Sequence, residues 1–333
     1  MITMNEVAKN ANVSRATVSR VLSGHPSVTA ETRANVMYWV KKLDYKPNII
    51  AQSLVGNKSQ LLGVIVPNLS NPFFAEIVDA IEEEAMNLGY GILIASHSGN
   101  IQKENNIINT FLNRRVDGII IIPVKRAVSI KSLKSLKIPV ISITKTMKEI
   151  DSVSMSDNNA IELIVKHMVE LGHQNIGYVG KINSEKNKNL TEIASRYGLK
   201  ITDVIELETG NNYDDYEKIK GQIQRKSLES TILFAHNDIV AVDTVQVLKD
   251  LGYDIPNQIA VIGFDNTILA MKLDPKLTSI AQPTKEIGST AVNHIIDKIN
   301  GLTEELLTVK LEPRLIVRGT TVKKNIEKRK LEE

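Results

Sequence analysis

The chain has 333 residues, 42% of them hydrophobic, a formal net charge of +3 and no cysteine. The missing thiols exclude disulfides and thiolate metal sites and suit a reducing cytoplasm, and the apolar content is enough for one small and two medium cores. Residues 1–60 hold eight basic side chains (Lys9, Arg15, Arg20, Arg33, Lys41, Lys42, Lys46 and Lys58) against Glu6, Glu31 and Asp44, so this end carries +5 and the remainder −2. Charge gathered in this way is the footprint of a phosphate-backbone partner. Met1 leads straight into a helical pattern with no apolar leader, and no apolar run reaches the roughly 18 residues of a membrane span.

Thr3 with Glu6 three residues on has the form of a capping box, which predicts a helix from Met4 to about Asn10 carrying Val7 and Ala8 inward. Ala11-Asn12 makes a tight turn, and Ser14 is a good N-cap for a second helix. There Val13, Val18, Val21 and Leu22 share one side, and Arg15, Ala16, Thr17, Ser19 and Arg20 face out. Short polar groups with arginine suit a major groove. Arginine forks onto a guanine edge, an alanine methyl meets a thymine methyl, and hydroxyls reach phosphates. Thr29 caps a third helix whose Val36, Trp39, Val40 and Leu43 close the small core. The plain alternative is a three-helix bundle with a solvated polar face.

Tyr45-Lys46-Pro47-Asn48-Ile49-Ile50-Ala51-Gln52-Ser53-Leu54 follows, helix-capable but too short to be stable alone, and Gly56-Asn57-Lys58-Ser59 makes a flexible exit. Together with the helix-turn-helix before it, this resembles the DNA-binding headpiece and hinge of the lactose-repressor and galactose-repressor family. The match is nearly gap-free from Thr3 to Ser59 and continues more loosely to about Thr321. The resemblance implies a headpiece over 1–46 and a hinge helix and linker over 47–60. It also implies a hinge that folds on operator DNA, with Leu54 wedged into the minor groove; such a wedge unstacks a base step and bends the duplex. The expected DNA-facing set is Thr3, Ser14, Arg15, Ala16, Thr17, Ser19, Arg20, Ser27, Asn48, Ala51, Gln52 and Leu54.

From Leu61 the chain alternates short apolar runs with helical patterns. Strands are predicted at Leu62–Pro67, Gly91–Ala95, Asp117–Pro123 and Pro139–Ile143, with helices at Pro72–Leu88 and Lys103–Asn113. A second series after Asp157 has strands at Asn175–Gly180, Val204–Leu207, Thr231–Ala235 and Ile259–Asp265. Its helices are predicted at Asn158–Leu171, near Leu190–Tyr197, near Tyr213–Gln224 and at Ile239–Leu251. The last third adds Leu277–Ile280, a helix from Lys285 to Asn300, and two strands flanking Pro313. Fully apolar strands separated by helices indicate parallel sheets covered on both faces. The expected fold is therefore a small all-α headpiece plus an α/β core over 61–322 with two doubly wound parallel-sheet lobes. The resemblance makes that core periplasmic-binding-protein-like, crossed three times by the chain, near Asp157, near Asp265–Leu277 and near Pro283. The tail, 323–333, is charged and lacks sustained heptads, so it is read as a disordered end and the assembly as a homodimer.

Loops at strand carboxyl ends should line a cleft between the lobes. The expected effector residues are Asn71, Phe73, Phe74, Asp157, Lys186, Lys188, Asn237, Asp238 and Asp265. One of the two phenylalanines is expected in the core instead, and the Asn and Asp residues equally suit helix caps. One stretch departs from the family: after Tyr178-Val179-Gly180 it carries a serine-rich loop and an arginine, whereas Lys181 to Asn189 contains no arginine and Arg196 lies too far along. Lys186 or Lys188 would replace it without its planar fork. The effector is thus a sugar, a sugar phosphate, or none in a vestigial cleft.

The expected function is a sequence-specific transcription regulator, a repressor that reads double-stranded operator DNA and carries no cofactor and no metal. A solute-binding protein would share the lobes but not the basic headpiece. An enzyme would need clustered nucleophile–base pairs, whereas His25, His97, His167, His173, His236 and His294 are scattered. A regulatory protein partner, as catabolite-control members of the family use, stays open.

Overall fold

The structure is a computed structural model describing residues 2–22, 24–45, 58–124, 133–208 and 215–321. It divides into two compact units at Gln60. The hinge contacts Asn48, Ala51, Gln52 and Leu54 and the tail lie outside the described residues.

The first unit holds α1 (Met4–Asn10), α2 (Arg15–Leu22) and α3 (Ala30–Lys42). The capping box forms as expected, with the Glu6 amide donating to Thr3 Oγ1 at 3.3 Å and the Thr3 amide to Glu6 Oε2 at 2.6 Å. Asn12 turns the chain at φ 54, and Ser14 Oγ then accepts from the Thr17 amide at 3.1 Å to start α2. Val7, Ala8, Ala11, Val18, Val21, Val36 and Tyr45 form the core, with Val13, Leu22, Trp39, Val40 and Leu43 packed against it. Two side chains of α3 tie the helices together. Arg33 donates to the carbonyls of Val21 (3.1 Å) and His25 (2.9 Å), and Asn35 to that of Ala11 (2.9 Å).

The second unit contains two six-stranded sheets. The first uses β1 (Leu61–Val66), β2 (Gly91–Ser96), β3 (Gly118–Ile121), β4 (Val140–Ile143), β5 (Asp151–Met155) and β11 (Thr308–Leu311), all parallel, in the order β11-β5-β4-β3-β1-β2. On one face lie α4 (Pro72–Asn87) and α11 (Thr284–Ile299), sharing a core with Leu62, Val64, Ile120 and Ile141. On the other, α5 (Ile101–Asn113) places Ile108 and Phe111 against Ile65, Ile119 and Ile121. Gly63 permits that approach, since a Cβ there would lie 2.3 Å from the Phe111 ring.

The second sheet uses β6 (Asn175–Gly180), β7 (Lys200–Glu206), β8 (Ile232–Ala235), β9 (Ala260–Asp265), β10 (Thr278–Ala281) and β12 (Arg314–Ile316), in the order β12-β10-β9-β8-β6-β7. Its edge strand β12 runs antiparallel to β10, so this lobe is mixed rather than wholly parallel. Alternate residues of β6 and β8 go to opposite cores. Tyr178 and Phe234 face α6 (Asp157–Glu170) and α7 (Glu185–Arg196), while Val179 and Leu233 face α8 (Tyr216–Arg225) and α9 (Asp238–Asp250).

Three departures from expectation have physical reasons. β5 is not expected because its five residues, DSVSM, are mostly polar, unlike the apolar runs of its neighbours; yet it is buried throughout, its serines bonded internally, Ser152 Oγ to the Ile150 carbonyl (2.9 Å) and Ser154 Oγ with Thr146 Oγ1 (2.9 Å). α7 begins five residues before Leu190, capped by Ser184, whose Oγ accepts from the Asn187 amide at 3.2 Å. The expected crossing at Asp265–Leu277 is wrong. β9 and β10 pair in one sheet, joined through the short α10 (Ile268–Lys272), and the third crossing lies at Glu312-Pro313, between β11 in one sheet and β12 in the other.

Candidate nucleic-acid interface and effector cleft

On α2, Arg15, Ala16 and Arg20 are exposed, and Thr17 and Ser19 are partly covered. The remaining hydroxyls of the expected set are already engaged. Thr3 Oγ1 bonds to Glu6 Oε2 (2.9 Å), Ser14 Oγ to Thr17 Oγ1 (2.9 Å), and Ser27 Oγ to His25 Nδ1 (2.8 Å). The exposed edge is therefore two guanidinium groups flanking a methyl, the pattern that reads base edges.

The second unit holds a cleft of about 380 Å³ between its two sheets, lined from strand carboxyl ends and helix starts. Of the expected residues, Asn71, Phe73, Phe74, Asp157, Lys186, Asn237 and Asp265 meet there. Phe73 and Phe74, with ring centroids 5.2 Å apart, serve both the core and the cleft wall. The cap-or-ligand choice also resolves as both. Asn71 Oδ1 accepts from the Phe73 amide (3.0 Å) and Asn237 Oδ1 from the Val240 amide (3.0 Å), while both residues line the cleft.

Two expected residues do not arrive. Lys188 is exposed on α7 and outside the lining. Asp238 is buried behind the cleft, where its oxygens accept from the Thr267 amide (2.6 Å) and the Ser279 hydroxyl (2.6 Å) and so fix the loop that carries Asp265. Burial pushes its carboxyl up to about 6, against the bonds from Ser279 and Thr267.

Lys186 dominates the floor. Its ammonium donates to the His236 carbonyl at 2.9 Å and sits 3.4 Å from the centroid of the Phe264 ring. Burial lowers its pKa, with Asp265 and Asp157 opposing. Asp265, at φ 106, accepts from Gln282 Nε2 at 2.6 Å. Burial pushes its carboxyl up to about 7, with Lys186 pulling it down and Asp238 adding to the rise. Beside them Tyr178 Oη meets His236 Nδ1 at 2.9 Å and Ser184 Oγ at 3.0 Å. Burial, then the charges of Lys186 and Lys181, hold His236 neutral, so its Nδ1 can accept from the tyrosine. Gly180 is required here, because a Cβ would fall 2.7 Å from that of His236 and its φ is 151.

Lys145, Lys181 and Gln282 also line the cleft. Lys145 and Gln282 carried no sequence signal, since each lies just beyond a strand end whose direction only the topology supplies. Among the described residues no group of three or more His, Asp or Glu could hold a metal ion, and no helix is long and apolar enough to cross a membrane.

Comparison with known proteins decides the family. Residues 3–48 match the model for bacterial regulatory proteins of the lacI family, and residues 165–321 match the periplasmic binding protein-like domain. Catabolite control protein A of Priestia megaterium is 32% identical over 330 residues, covering 96% of this chain and 99% of that protein. The chain belongs to the lacI family. It is a DNA-binding transcription regulator. Among solved structures, a lac repressor dimer bound to operator and the anti-inducer ONPF is similar to this lacI-family chain at a TM-score of 0.88, with 26% identity over 96% of this chain and 99% of that one. A lacI-family regulator from Enterococcus faecium with bound ribose matches at a TM-score of 0.69, with 27% identity over 79% of this chain and 99% of that one.

Proposed function

We propose that this lacI-family protein is a cytoplasmic repressor that binds an inverted-repeat operator as a homodimer and is controlled by a sugar or sugar phosphate in the inter-lobe cleft. The exposed Arg15–Ala16–Arg20 edge of α2 carries the DNA reading. A two-fold dimer presents that edge to two half-sites. Asn48, Ala51 and Gln52 add backbone contacts, and Leu54 supplies the minor-groove wedge. Leu54→Ala weakens specific binding far more than non-specific binding; equal losses on both kinds of DNA overturn the wedge.

The cleft supports a hydroxylated effector. Phe73 and Phe74 bring aromatic surface to the C–H face of a sugar, while Asn71, Asp157, Asn237, Asp265 and Gln282 offer donors and acceptors to its hydroxyls. Lys181 and Lys186 suit a phosphate substituent, with point charges in place of the missing arginine fork. Ligand bound across both sheets would change the lobe angle and so couple to the headpiece. Thermal unfolding against sugars and sugar phosphates tests this: a ligand at a hundred times its Kd adds about 2.7 kcal/mol, and Asp265→Ala removes the shift. Silence across the panel would instead favour a regulatory protein partner. That second reading is supported by Lys186, which already places a cation on the aromatic floor.

A further inference from the structure

Lys186 stands where local structure disfavours a cation. It is the second residue of α7, in the first turn, where the helix dipole repels positive charge. Lys188, two residues on, is exposed, whereas the Lys186 side chain runs to the cleft floor. There the His236 carbonyl takes one N–H at 2.9 Å, and the centroid of the Phe264 ring lies 3.4 Å from Nζ. Both anchors are fixed. The His236 amide donates to the Val179 carbonyl at 2.9 Å, and Phe264 is buried in β9. A nitrogen that is desolvated, held in one place and set in a cavity wall is the arrangement that turns lysine from a point charge into a nucleophile. Burial lowers its pKa, with Asp265 and Asp157 opposing. Asp265 also lines the cleft, and its carboxyl, pushed up to about 7, completes the pair as a proton donor.

We infer that Lys186 captures the open-chain carbonyl of a small sugar phosphate as a reversible imine; this rests on the sugar reading above and names the ligand class for it. Two features favour a short open chain over a sugar ring. The Phe264 face on which a ring would stack is taken by the ammonium. The cleft, at about 380 Å³, lies near the small end of the roughly 300–1,000 Å³ range of ligand sites. The neutral amine attacks the carbonyl carbon, and the C=O π pair moves to oxygen as the C–N bond forms. Asp265 protonates that oxygen and takes a proton back from the nitrogen. It then protonates the hydroxyl, which leaves as water, and recovers the second nitrogen proton as the C=N bond forms. Carbonyl plus amine thus gives imine plus water with no change of oxidation level, and hydrolysis reverses it. Lys181, at the cleft edge, meets the phosphate.

The full-length protein is mixed with glyceraldehyde 3-phosphate, dihydroxyacetone phosphate or erythrose 4-phosphate and reduced with sodium borohydride. Reduction turns an imine into a stable secondary amine that peptide mass mapping locates. The expected result is one adduct per chain on Lys186, formed at least about tenfold faster than on exposed Lys188. Its yield should rise between about pH 6 and 8 as the amine loses its proton. Glyceraldehyde 3-phosphate should bind at least about tenfold tighter than glycerol 3-phosphate, which lacks the carbonyl. Lys186→Met should abolish that difference. Adducts spread evenly over the lysines overturn the imine, as does glycerol 3-phosphate bound as tightly as the aldehyde; the sugar reading then stands wherever a sugar or sugar phosphate still shifts the melting. If no sugar or sugar phosphate shifts the melting and none is trapped on Lys186, both readings fall together.

Discussion

Asp265 has the most to say among single residues. Its carboxyl is pushed up to about 7 by burial, so the folded protein holds this proton between about pH 4 and 7 while the unfolded chain has released it. Stability is therefore highest at the acid end of that window and falls as pH rises through it. Asp265→Asn should flatten this decline, read from urea midpoints at pH 5, 6 and 7; an unchanged slope would assign the dependence to Asp238, whose carboxyl is pushed up to about 6 by the same cause. A sugar hydroxyl that donates to ionised Asp265 lowers its pKa again, so effector binding should tighten as pH rises from 6 to 8, with proton release seen as a buffer-dependent heat. Arg15 gives the matching prediction for DNA. Arg15→Ala should cost about 1–3 kcal/mol on the specific operator, with relaxed preference at one base position per half-site, measured by competition against single-base operator variants. How much of the site could be read beforehand divides along one line. Residue types that chemistry demands were visible: Asn71, Asp157, Asn237 and Asp265 all reach the cleft. Whether an acid reaches ligand or supports the loop behind it was not visible. Asp238 is one residue from Asn237 and points to Thr267 and Ser279 instead.

At the scale of the element, α7 ties fold to site. Its N-cap Ser184 also bonds to Tyr178 Oη, and its second residue is Lys186. Ser184→Ala should destabilise by about 1–2 kcal/mol through the lost cap and hydroxyl bond. It should also weaken effector binding by releasing Lys186, whereas Thr191→Ala, exposed about two turns further along α7, should do neither; denaturant melts and calorimetry separate the two effects. In the headpiece, Arg33 donates to the carbonyl of Val21 at the end of α2 and to that of His25 just beyond it. Arg33→Ala should therefore melt the headpiece, by about 1.5–3 kcal/mol for bonds from a charged group, and the loss should persist without DNA. Apolar strands and capped helices were legible because burial and hydrogen bonding are local demands. The start of α7 was hidden in a polar run, Glu185-Lys186-Asn187-Lys188-Asn189, whose amphipathic face only appears from Leu190 onward. β5 was hidden because its serines find partners inside the fold.

For the whole molecule, the two units have separate cores, so they should melt in separate steps. Effector should raise only the later transition of the larger unit. Calorimetric scans with and without ligand, in the absence of DNA, check this; a joint shift of both steps would mean that the units are coupled without operator. The two-lobed plan was legible from the alternation of strands and helices. The third crossing was not, because Pro313 marks a break between strands without saying which sheet each strand joins.

The double duty of Asn71 and Asn237 sets where this regulator can change its taste. Each begins a helix with the same side chain that borders the cleft, so replacing either would fray α4 or α9. Lys181 and Glu185 are exposed at the rim of the cleft and serve as no helix N-cap. Drift toward new effectors should accumulate at the rims while the two asparagines stay fixed. A library randomised at the rim positions and selected on unfamiliar sugars would retrace that course.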